Sequence, residues 1–455
     1  MWGIKFHWWV IIGIVVGVII GTALNRTYLP EVRQEVLGAT YTAADLQEHG
    51  NKLTEALADR IRENFVGGAL NGIAQIFMNL LKMVVIPLVF FSLVSGVLGM
   101  GGGETVGRVG LKTLGWYLST SLLAIVFGLL TVNILSPGVG ADIRIPTSAR
   151  EAHAPESFWD VLTGMVPSNV FKAMADFDMF GIILFSLLVG IFLVKIEEEK
   201  RQAMTNFIET GSTLMMGMTH FVVSLAPVGI MCLVGFTVAT SGPEVFISML
   251  PYVLTVFTAL GLHIFVTVPV LVWLVTKRNP YLYMKAMSAA LITGFSTASS
   301  AGTLAVTMEE AQTKAGISNR VTSFVLPLGA TVNMDGTALY ECVTVIFIAQ
   351  VHASVDPSFA ALGLTSQLMI VFLALAVSIG AAGIPHAGLV MMVIILNAVN
   401  LPLEYTALVW AVDRVLDMCR TVTNIWSDSC GALVIAHSEK QIDEKVLFSK
   451  GQVSL

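Results

Sequence analysis

The chain has 455 residues, of which 55% are hydrophobic and only 12% are charged, and its formal net charge is −6. A soluble globular domain carries about 25% charged residues, so this composition excludes a soluble protein and predicts one that crosses a membrane many times. No basic run indicates nucleic-acid binding. The four cysteines form no Cys-x-x-Cys pair, which argues against disulfides and structural zinc.

Six apolar segments precede residue 280, and their lengths suit a hydrocarbon core about 30 Å thick. They are predicted as spans at 7–25, 67–98, 110–135, 176–195, 212–240 and 250–276. The first lacks a clear cleavage site, so we interpret it as an uncleaved span. Lys and Arg concentrate on the side that holds the N-terminus, which the positive-inside rule places in the cytoplasm.

After residue 280, small residues interrupt two apolar stretches. The stretch 286–308 is interrupted at 296–303 and the stretch 366–398 at 380–388. Each stretch precedes an apolar span that contains several polar residues, at 322–350 or at 403–436. Paired interrupted segments are typical of transporters whose site lies between two structural repeats. We interpret them as re-entrant hairpins, while two full spans would leave the same parity of crossings.

A polar run lies deep inside the span 322–350. It includes Gly329, Asn333, Asp335, Gly336 and Glu341. Polar groups at this depth cannot face lipid, and the two glycines predict that the helix breaks there. Carbonyls freed at such a break, together with Asp335, predict a cation site.

Five polar residues of the last span share one helical stripe: Asp413, Asp417, Arg420, Asn424 and Asp428. Because each isolated charge in a bilayer costs a few kcal/mol or more, the stripe must face protein or a watery cavity. A structural ladder of ion pairs is one interpretation. A substrate and ion site is favoured, because the acids outnumber the base. Arg420 is suited to bind a carboxylate, and Asp417 is suited to bind an ammonium group. A ligand that carries both groups is an amino acid, preferably an acidic one.

These motifs resemble the dicarboxylate/amino acid:cation symporter family, which includes the excitatory amino-acid transporters and prokaryotic aspartate and glutamate carriers. The resemblance covers about residues 65–437 and is most specific in Asn333-Met-Asp-Gly-Thr and in the run from Asp417 to Asn424. It implies an all-α polytopic membrane protein with eight transmembrane helices plus two re-entrant helical hairpins. Inverted repeats, a homotrimer and elevator-type transport are also implied.

The same resemblance divides the chain into three parts. Residues 1–280 would hold six helices, mainly scaffold and trimerisation surface, with the third span contributing to the transport domain. Residues 281–437 would form the transport core, and residues 438–455 a cytoplasmic tail. Both termini are expected in the cytoplasm, and the protein in the cell membrane.

The resemblance also implies ligands, with Arg420 on the substrate side-chain carboxylate and Asp417 on its ammonium. The implied substrate residues are Ser299, Ser300, Thr337, Gly383, Ile384, Asp417, Arg420, Thr421 and Asn424. One sodium site is implied at Asp428 with carbonyls of Gly329, Asn333 and Asn424. A second is implied at Asp335, Asn333, Tyr117, Thr120 and Ser121, and a third at the carbonyls of Thr331, Ser378, Ile379 and Ala381. No organic cofactor is expected.

Glu341 follows Ala-Leu-Tyr, as in proton-coupled members of the family, so the resemblance implies proton cotransport alongside sodium. A hydrogen-bonded structural carboxyl is the alternative. The chain departs from the family at Ala298 and Met418, where members binding acidic substrates often carry a second Arg. It departs again before Asp428, where the family usually has Gly and this chain has Trp426-Ser427, and the bulky Trp426 is expected to alter the first sodium site.

The predicted function is secondary active symport of L-aspartate or L-glutamate with sodium and a proton. Alternatives are a carrier of the same fold for C4-dicarboxylates or neutral amino acids, including one driven by protons alone, an ion channel, and an intramembrane enzyme. Arg420 argues against neutral substrates and Asp417 against plain dicarboxylates. No Ser/His pair, zinc-type His cluster or nucleophile elbow lies in a span, so we expect no enzyme.

Overall fold

The computed structural model describes residues 6–38, 49–99, 104–141, 143–144, 166–175, 179–356, 359, 362–379, 387–443 and 446. Within these ranges the regular structure is helical, with one isolated antiparallel bridge between Ile317 and Ile442. The first eight helices are α1 (Phe6–Leu37), α2 (Gly50–Glu63), α3 (Phe65–Gly99), α4 (Glu104–Leu135), α5 (Val170–Ala175), α6 (Met179–Lys195), α7 (Glu198–Ser224) and α8 (Ala226–Ser241). The next six are α9 (Val245–Ser248), α10 (Leu250–Leu262), α11 (Val268–Thr276), α12 (Pro280–Ala286), α13 (Ser288–Thr297) and α14 (Ser300–Thr313). The last five are α15 (Asn319–Val332), α16 (Asp335–Val355), α17 (Leu364–Ile379), α18 (Ala387–Ala398) and α19 (Thr406–Ser438).

Four helical stretches in the described ranges are long and apolar enough to cross a membrane. They are Trp9–Leu37, Arg108–Leu135, Val245–Thr276 and Asn319–Val355. The most apolar window is 28% buried in the first stretch but 78% buried in the last. The polar-studded helices α15 and α16 therefore lie inside the protein, while α1 lies at its periphery.

Two predicted spans are interrupted in the structure, and a proline accounts for each interruption. The predicted span 212–240 runs from α7 into α8, because Pro227 near the start of α8 cannot continue the helix that ends at Ser224. The predicted span 250–276 contains a π-helical turn, His263–Thr267, between α10 and α11. Pro269 follows that turn at the start of α11.

Helix α1 packs closely against α8 along a face of small residues. A Cβ added to Gly13, Gly17 or Gly21 would stand 2.4 Å from a backbone carbonyl oxygen of α8. Only glycine leaves room for the two backbones to approach this closely, as at many helix contacts in membranes.

The interrupted stretch 286–308 folds as two neighbouring helices joined by a tight turn. Helix α13 ends at Thr297 and is followed by Ala298, whose φ is +51°, and Ser299 caps α14 by accepting a hydrogen bond from the Gly302 amide. Helices α17 and α18 also pack together. Their connection, with Ala381, Gly383 and Ile384, lies outside the described residues.

The predicted helix break is present and lies between Gly329 and Gly336, but neither glycine forms it. Gly329 lies within α15 and Gly336 within α16, while the two non-helical residues are Asn333 and Met334. The break forms there because Asn333 makes side-chain hydrogen bonds to α19. The Gly336 amide at the start of α16 donates to Asn424 instead of a helical carbonyl.

Helix α19 is the central element of this half of the chain. It packs against α13, α14, α15, α16 and α4 and is buried along most of its length. Beyond it, Glu439 forms ion pairs with Lys112 and Arg108 at the start of α4. The polar stripe of α19 therefore faces protein, as its pattern predicts.

Candidate substrate and cation site

The centre of the site is the guanidinium of Arg420, which is 2% exposed. Its Nη2 donates a hydrogen bond to Asp417 Oδ1, one turn earlier on α19. Its Nη1 lies 3.6 Å from Asp413 Oδ1, and its central carbon lies 4.4 Å from the ring centroid of Tyr340 on α16. The Tyr340 hydroxyl in turn donates to Asp413 Oδ1 at 2.8 Å. One cation thus lies between two carboxylates and an aromatic ring.

Although Nη1 of Arg420 is buried, it has no hydrogen-bond partner among the described residues. A Cβ added to Gly388, at the start of α18, would stand 2.5 Å from Nη1 and 3.3 Å from Cγ2 of Thr337. The unsatisfied donor therefore lies between the starts of α16 and α18. A ligand carboxylate placed there would complete its hydrogen bonding.

Asn424 joins α19 to the first turn of α16. Its Oδ1 accepts from the Gly336 amide at 2.8 Å, and its Nδ2 donates to Thr337 Oγ1 at 3.2 Å. Asn424 lies one turn beyond Arg420 and one turn before Asp428. It therefore connects the Arg420 region with the cation ligands described below.

Three further predicted substrate residues, Ser299, Ser300 and Thr421, lie on or beside hairpin α13–α14, whereas Gly383 and Ile384 lie outside the described residues. Thr421 and Ser300 are buried, and Ser299 lies at the turn between the two helices. Gly294 of α13 packs against α19, where an added Cβ would stand 2.3 Å from Ile425 and 3.7 Å from Thr421. The hairpin is thus in contact with the polar stripe's helix.

Four predicted cation ligands meet at the break between α15 and α16. Asp335 is fully buried, and its Oδ1 accepts hydrogen bonds from Ser121 at 2.6 Å and from Thr120 at 3.2 Å. Thr120 Oγ1 also lies 3.4 Å from Asn333 Oδ1. Helix α4 therefore supplies hydroxyl groups to a carboxylate and an amide at the break, a set of hard oxygen atoms.

A second group of polar atoms lies beside the first. Asn333 Nδ2 donates to Asp428 Oδ1 at 2.9 Å and to Ser427 Oγ at 3.0 Å. A Cβ added to Gly329 would stand 2.6 Å from Asp428 Oδ1 and 2.7 Å from the Tyr117 hydroxyl. Gly329 therefore does not break the helix. It lets α15 approach α4 and α19 closely, because the three helices meet at this point.

Both acid groups are buried, and no described Lys or Arg forms an ion pair with Asp335 or Asp428. Within the described ranges, no group of three or more His, Cys, Asp and Glu residues could hold a metal ion. Carboxylate, amide and hydroxyl oxygens instead suit a hard monovalent or divalent cation. Of the third predicted site, Thr331 is exposed and Ser378 and Ile379 end α17, whereas Ala381 lies outside the described residues.

Two features of this region escape the sequence analysis. His263 Nε2 lies 3.0 Å from Asp335 Oδ2, and the available signal was a lone imidazole inside an apolar span. Trp426 contacts the Ile264 carbonyl and the Tyr283 ring. The Ser427 hydroxyl instead lies among the polar atoms around Asn333 and Asp428. The side chain beside the predicted first sodium site is therefore that of Ser427 and not that of the bulky Trp426.

Glu341 of α16 is fully buried. Both of its carboxyl oxygens lack a hydrogen-bond partner in the described part of the chain. The structural alternative, a carboxyl held by hydrogen bonds, therefore has no donor there. An ionised carboxylate without donors is among the costliest groups to bury, so the neutral, proton-carrying form suits this position.

Comparison with known proteins gives a consistent set of relatives. The model of the sodium:dicarboxylate symporter family matches residues 6–438. The human excitatory amino acid transporter 3 is 31% identical in an alignment of 480 positions that covers 94% of this chain and 88% of that protein. The excitatory amino acid transporter of Onchocerca volvulus is 32% identical over 414 aligned positions, with 80% of this chain and 82% of that protein covered. The proton/glutamate-aspartate symporter of Bacillus subtilis (strain 168) is 33% identical over 386 aligned positions, with 83% of this chain and 91% of that protein covered.

Proposed function

We infer the function from one premise: the chain belongs to the sodium:dicarboxylate symporter family. It is therefore a membrane transporter and not an enzyme. We propose that it takes up acidic amino acids, L-aspartate or L-glutamate, by symport with sodium and a proton. The names of the relatives, excitatory amino acid transporters and a proton/glutamate-aspartate symporter, support this choice of substrate.

The observation that carries the proposal is the buried, unsatisfied Nη1 of Arg420. A buried N–H without an acceptor costs about 1–3 kcal/mol, and a carboxylate oxygen placed there would remove that cost. The substrate's side-chain carboxylate is the group that we place on Arg420, and its ammonium is the group that we place near Asp417. A substrate without the carboxylate would leave the Arg420 donor without an acceptor, and one without the ammonium would not offset the charge of Asp417, which is how binding sites reject close analogues.

Sodium would bind at the break between α15 and α16, with Asp335 and Asp428 as its charged ligands. Asn424 supports coupling between ion and substrate, because it lies between Arg420 and Asp428 on α19 and bonds to the start of α16. A cation that fixes this turn would thereby favour the arrangement that binds the substrate. Glu341 would carry the cotransported proton.

The proposal also includes the number of membrane spans, the oligomeric state, the transport motion and the orientation in the membrane. Eight transmembrane helices, two re-entrant hairpins, a homotrimer, an elevator motion and cytoplasmic termini are proposed from the family resemblance. The contacts of α19 with α13, α14, α15 and α16 support a transport core within residues 281–437. The close packing of α1 on α8 supports a rigid scaffold in residues 1–280.

Competition for bound L-aspartate tests the substrate assignment on purified protein. We expect L-glutamate to displace labelled aspartate, because it keeps both charged ends. Succinate lacks the ammonium and L-serine lacks the second carboxylate, so each should compete at least about 100-fold more weakly. Equal competition by succinate would contradict the role of Asp417, and equal competition by serine would contradict that of Arg420.

A further inference from the structure

His263 is a fully buried imidazole to which the proposed transport cycle gives no task. It lies in the π-helical turn between α10 and α11, and its Nε2 is 3.0 Å from Asp335 Oδ2. The other carboxylate oxygen, Oδ1, accepts from Thr120 and Ser121. Asp335 is therefore held by α4 on one side and by the π-helical turn on the other.

The π-helical turn is fixed by side chains from two other helices. The Val268 amide donates to the carbonyl five residues earlier, that of His263. Pro269 has no amide hydrogen, so it offers none to the Ile264 and Phe265 carbonyls. The Trp426 indole donates to the Ile264 carbonyl at 3.1 Å, and the Tyr281 hydroxyl donates to the Phe265 carbonyl at 2.8 Å.

The hydrogen bonds to the Ile264 and Phe265 carbonyls affect the direction of the His263 imidazole. A π-helical turn inserts one residue into a helix and so rotates the side chains before it relative to those after it. Because donors from α19 and α12 satisfy the carbonyls that Pro269 leaves open, the turn is stable in this form. His263 is consequently directed at Asp335 by the backbone and not only by its own rotamer.

The hydrogen-bond partners also indicate the tautomer of His263. Its Nδ1 has no hydrogen-bond partner among the described residues. A buried N–H without an acceptor is costlier than an unprotonated ring nitrogen, so the proton belongs on Nε2, which donates to Asp335. A neutral donor of this kind orients the carboxylate without cancelling its charge, and the charge remains available to a cation.

We propose that His263 is a positioning residue of the cation site at Asp335 and that it sets the affinity of this site for sodium. The inference rests on the proposed sodium coupling. His263 holds one carboxylate oxygen, so that the other meets the hydroxyls of Thr120 and Ser121 at the position where sodium would bind. Without the imidazole, the carboxylate would have to be ordered by the ion itself, which would weaken ion binding.

The test is the sodium dependence of aspartate binding to purified protein. His263→Leu removes the donor at similar volume, and His263→Gln places an amide donor near the position of Nε2. The matched control is Tyr252→Phe, which deletes a different buried hydrogen bond, the one between Tyr252 of α10 and Thr344 of α16 at 2.8 Å. His263→Leu should raise the half-saturating sodium concentration roughly 10- to 100-fold, the range for one hydrogen bond to a charged group. Aspartate affinity at saturating sodium should be unchanged.

The companion variants separate positioning from folding. His263→Gln should restore the sodium dependence to within about threefold of wild type, and Tyr252→Phe should leave it unchanged. If His263→Leu does not yield folded protein, Trp426→Phe gives the second measurement. It keeps the imidazole but removes the donor to the Ile264 carbonyl, and it should raise the half-saturating sodium concentration in the same direction.

The outcomes distinguish the inference from the function on which it rests. If aspartate binding to the wild-type protein does not depend on sodium, both the proposed coupling and the role of His263 are overturned. Sodium-dependent wild-type binding with an unchanged His263→Leu variant would overturn only the positioning role. An equal shift in Tyr252→Phe would also overturn it, because the effect would then report general loosening between α10 and α16.

Discussion

The guanidinium of Arg420 lies 4.4 Å from the ring centroid of Tyr340, and the Tyr340 hydroxyl donates a 2.8 Å hydrogen bond to Asp413. The ring therefore contacts the cation and also binds one of its two neighbouring carboxylates. This arrangement fixes the direction of the guanidinium, because a cation over an aromatic face is attracted to it. One nitrogen is thereby left directed at the proposed substrate position.

Replacing Arg420 by Cys should abolish uptake of acidic amino acids. The change removes the carboxylate partner and leaves Asp413 and Asp417 buried without their cation, a loss of several kcal/mol. We expect labelled aspartate uptake to fall by at least about 100-fold, with uptake of neutral amino acids less affected. Arg420→Lys is the matched variant, since it keeps the charge but loses the two-pronged geometry, and it should be intermediate. Aspartate uptake undiminished in Arg420→Cys would remove Arg420 from the substrate site.

Glu341→Gln should separate exchange from net uptake. The glutamine cannot carry a proton, yet it resembles the neutral carboxyl that the buried, donor-free position favours. In wild type, one cotransported proton and a gradient of one pH unit favour accumulation by about tenfold. The variant should show no such stimulation while it retains aspartate exchange across the membrane. An unchanged pH profile of net uptake would refute the proton role of Glu341.

Gly329→Ala should weaken cation binding for a steric reason. The added methyl group would stand 2.6 Å from Asp428 Oδ1 and 2.7 Å from the Tyr117 hydroxyl, so both side chains would have to move. Overpacking of this kind typically costs about 1–3 kcal/mol, which corresponds to a roughly 5- to 150-fold higher sodium requirement for aspartate binding. Gly115→Ala is the control on α4, because no atom lies within 4 Å of its added Cβ. A sodium dependence equal in the two variants would argue against ion binding beside Asp428.

Glu439 should make stability depend on pH at the end of α19. Hydrogen bonds from Lys112 and Arg108 hold the pKa of the Glu439 carboxyl below its usual range. A lowered pKa in the folded state gives a stabilisation that is present above the unfolded-state pKa, about 4.3, and is lost as the pH falls through the folded-state pKa. Glu439→Gln should therefore melt slightly below wild type at pH 7, and the difference should vanish in acid.

Melting temperatures of both proteins in detergent between pH 7 and pH 3 check this expectation. Glu309→Gln is a suitable control, because Glu309 is exposed on α14 and forms no ion pair among the described residues. A difference between wild type and Glu439→Gln that persists unchanged below pH 4 would show that the charge of Glu439 is not its source.

The sequence predicts the helix break and the chemistry around it, but not which residues form it. Asn333, Asp335 and Asp428 were identified because such groups cannot face lipid, and the structure brings them together. The sequence predicts a break at Gly329 and Gly336, since glycine permits unusual backbone angles. A glycine allows a helix to break but does not force it to. The break instead forms where Asn333 makes side-chain hydrogen bonds to residues about 95 positions later in the chain.

The role of His263 could not be read from the sequence for a related reason. A single imidazole in an apolar span has no periodic partner, and the carboxylate that it contacts, that of Asp335, is 72 residues away in the chain. The π-helical turn that directs it depends on Pro269 nearby and on Trp426, 162 residues away. Local patterns predict helices, whereas contacts between distant segments determine where the helices depart from regularity.

Uptake of labelled L-aspartate into proteoliposomes tests the central claim most directly. Purified wild-type protein would be given an inward sodium gradient, an inward proton gradient, both or neither, with Arg420→Cys as the inactive reference. We predict saturable uptake with the sodium gradient, greater uptake with both gradients, and none above the reference with neither. Absence of aspartate uptake under every gradient would contradict acidic amino-acid symport by this chain.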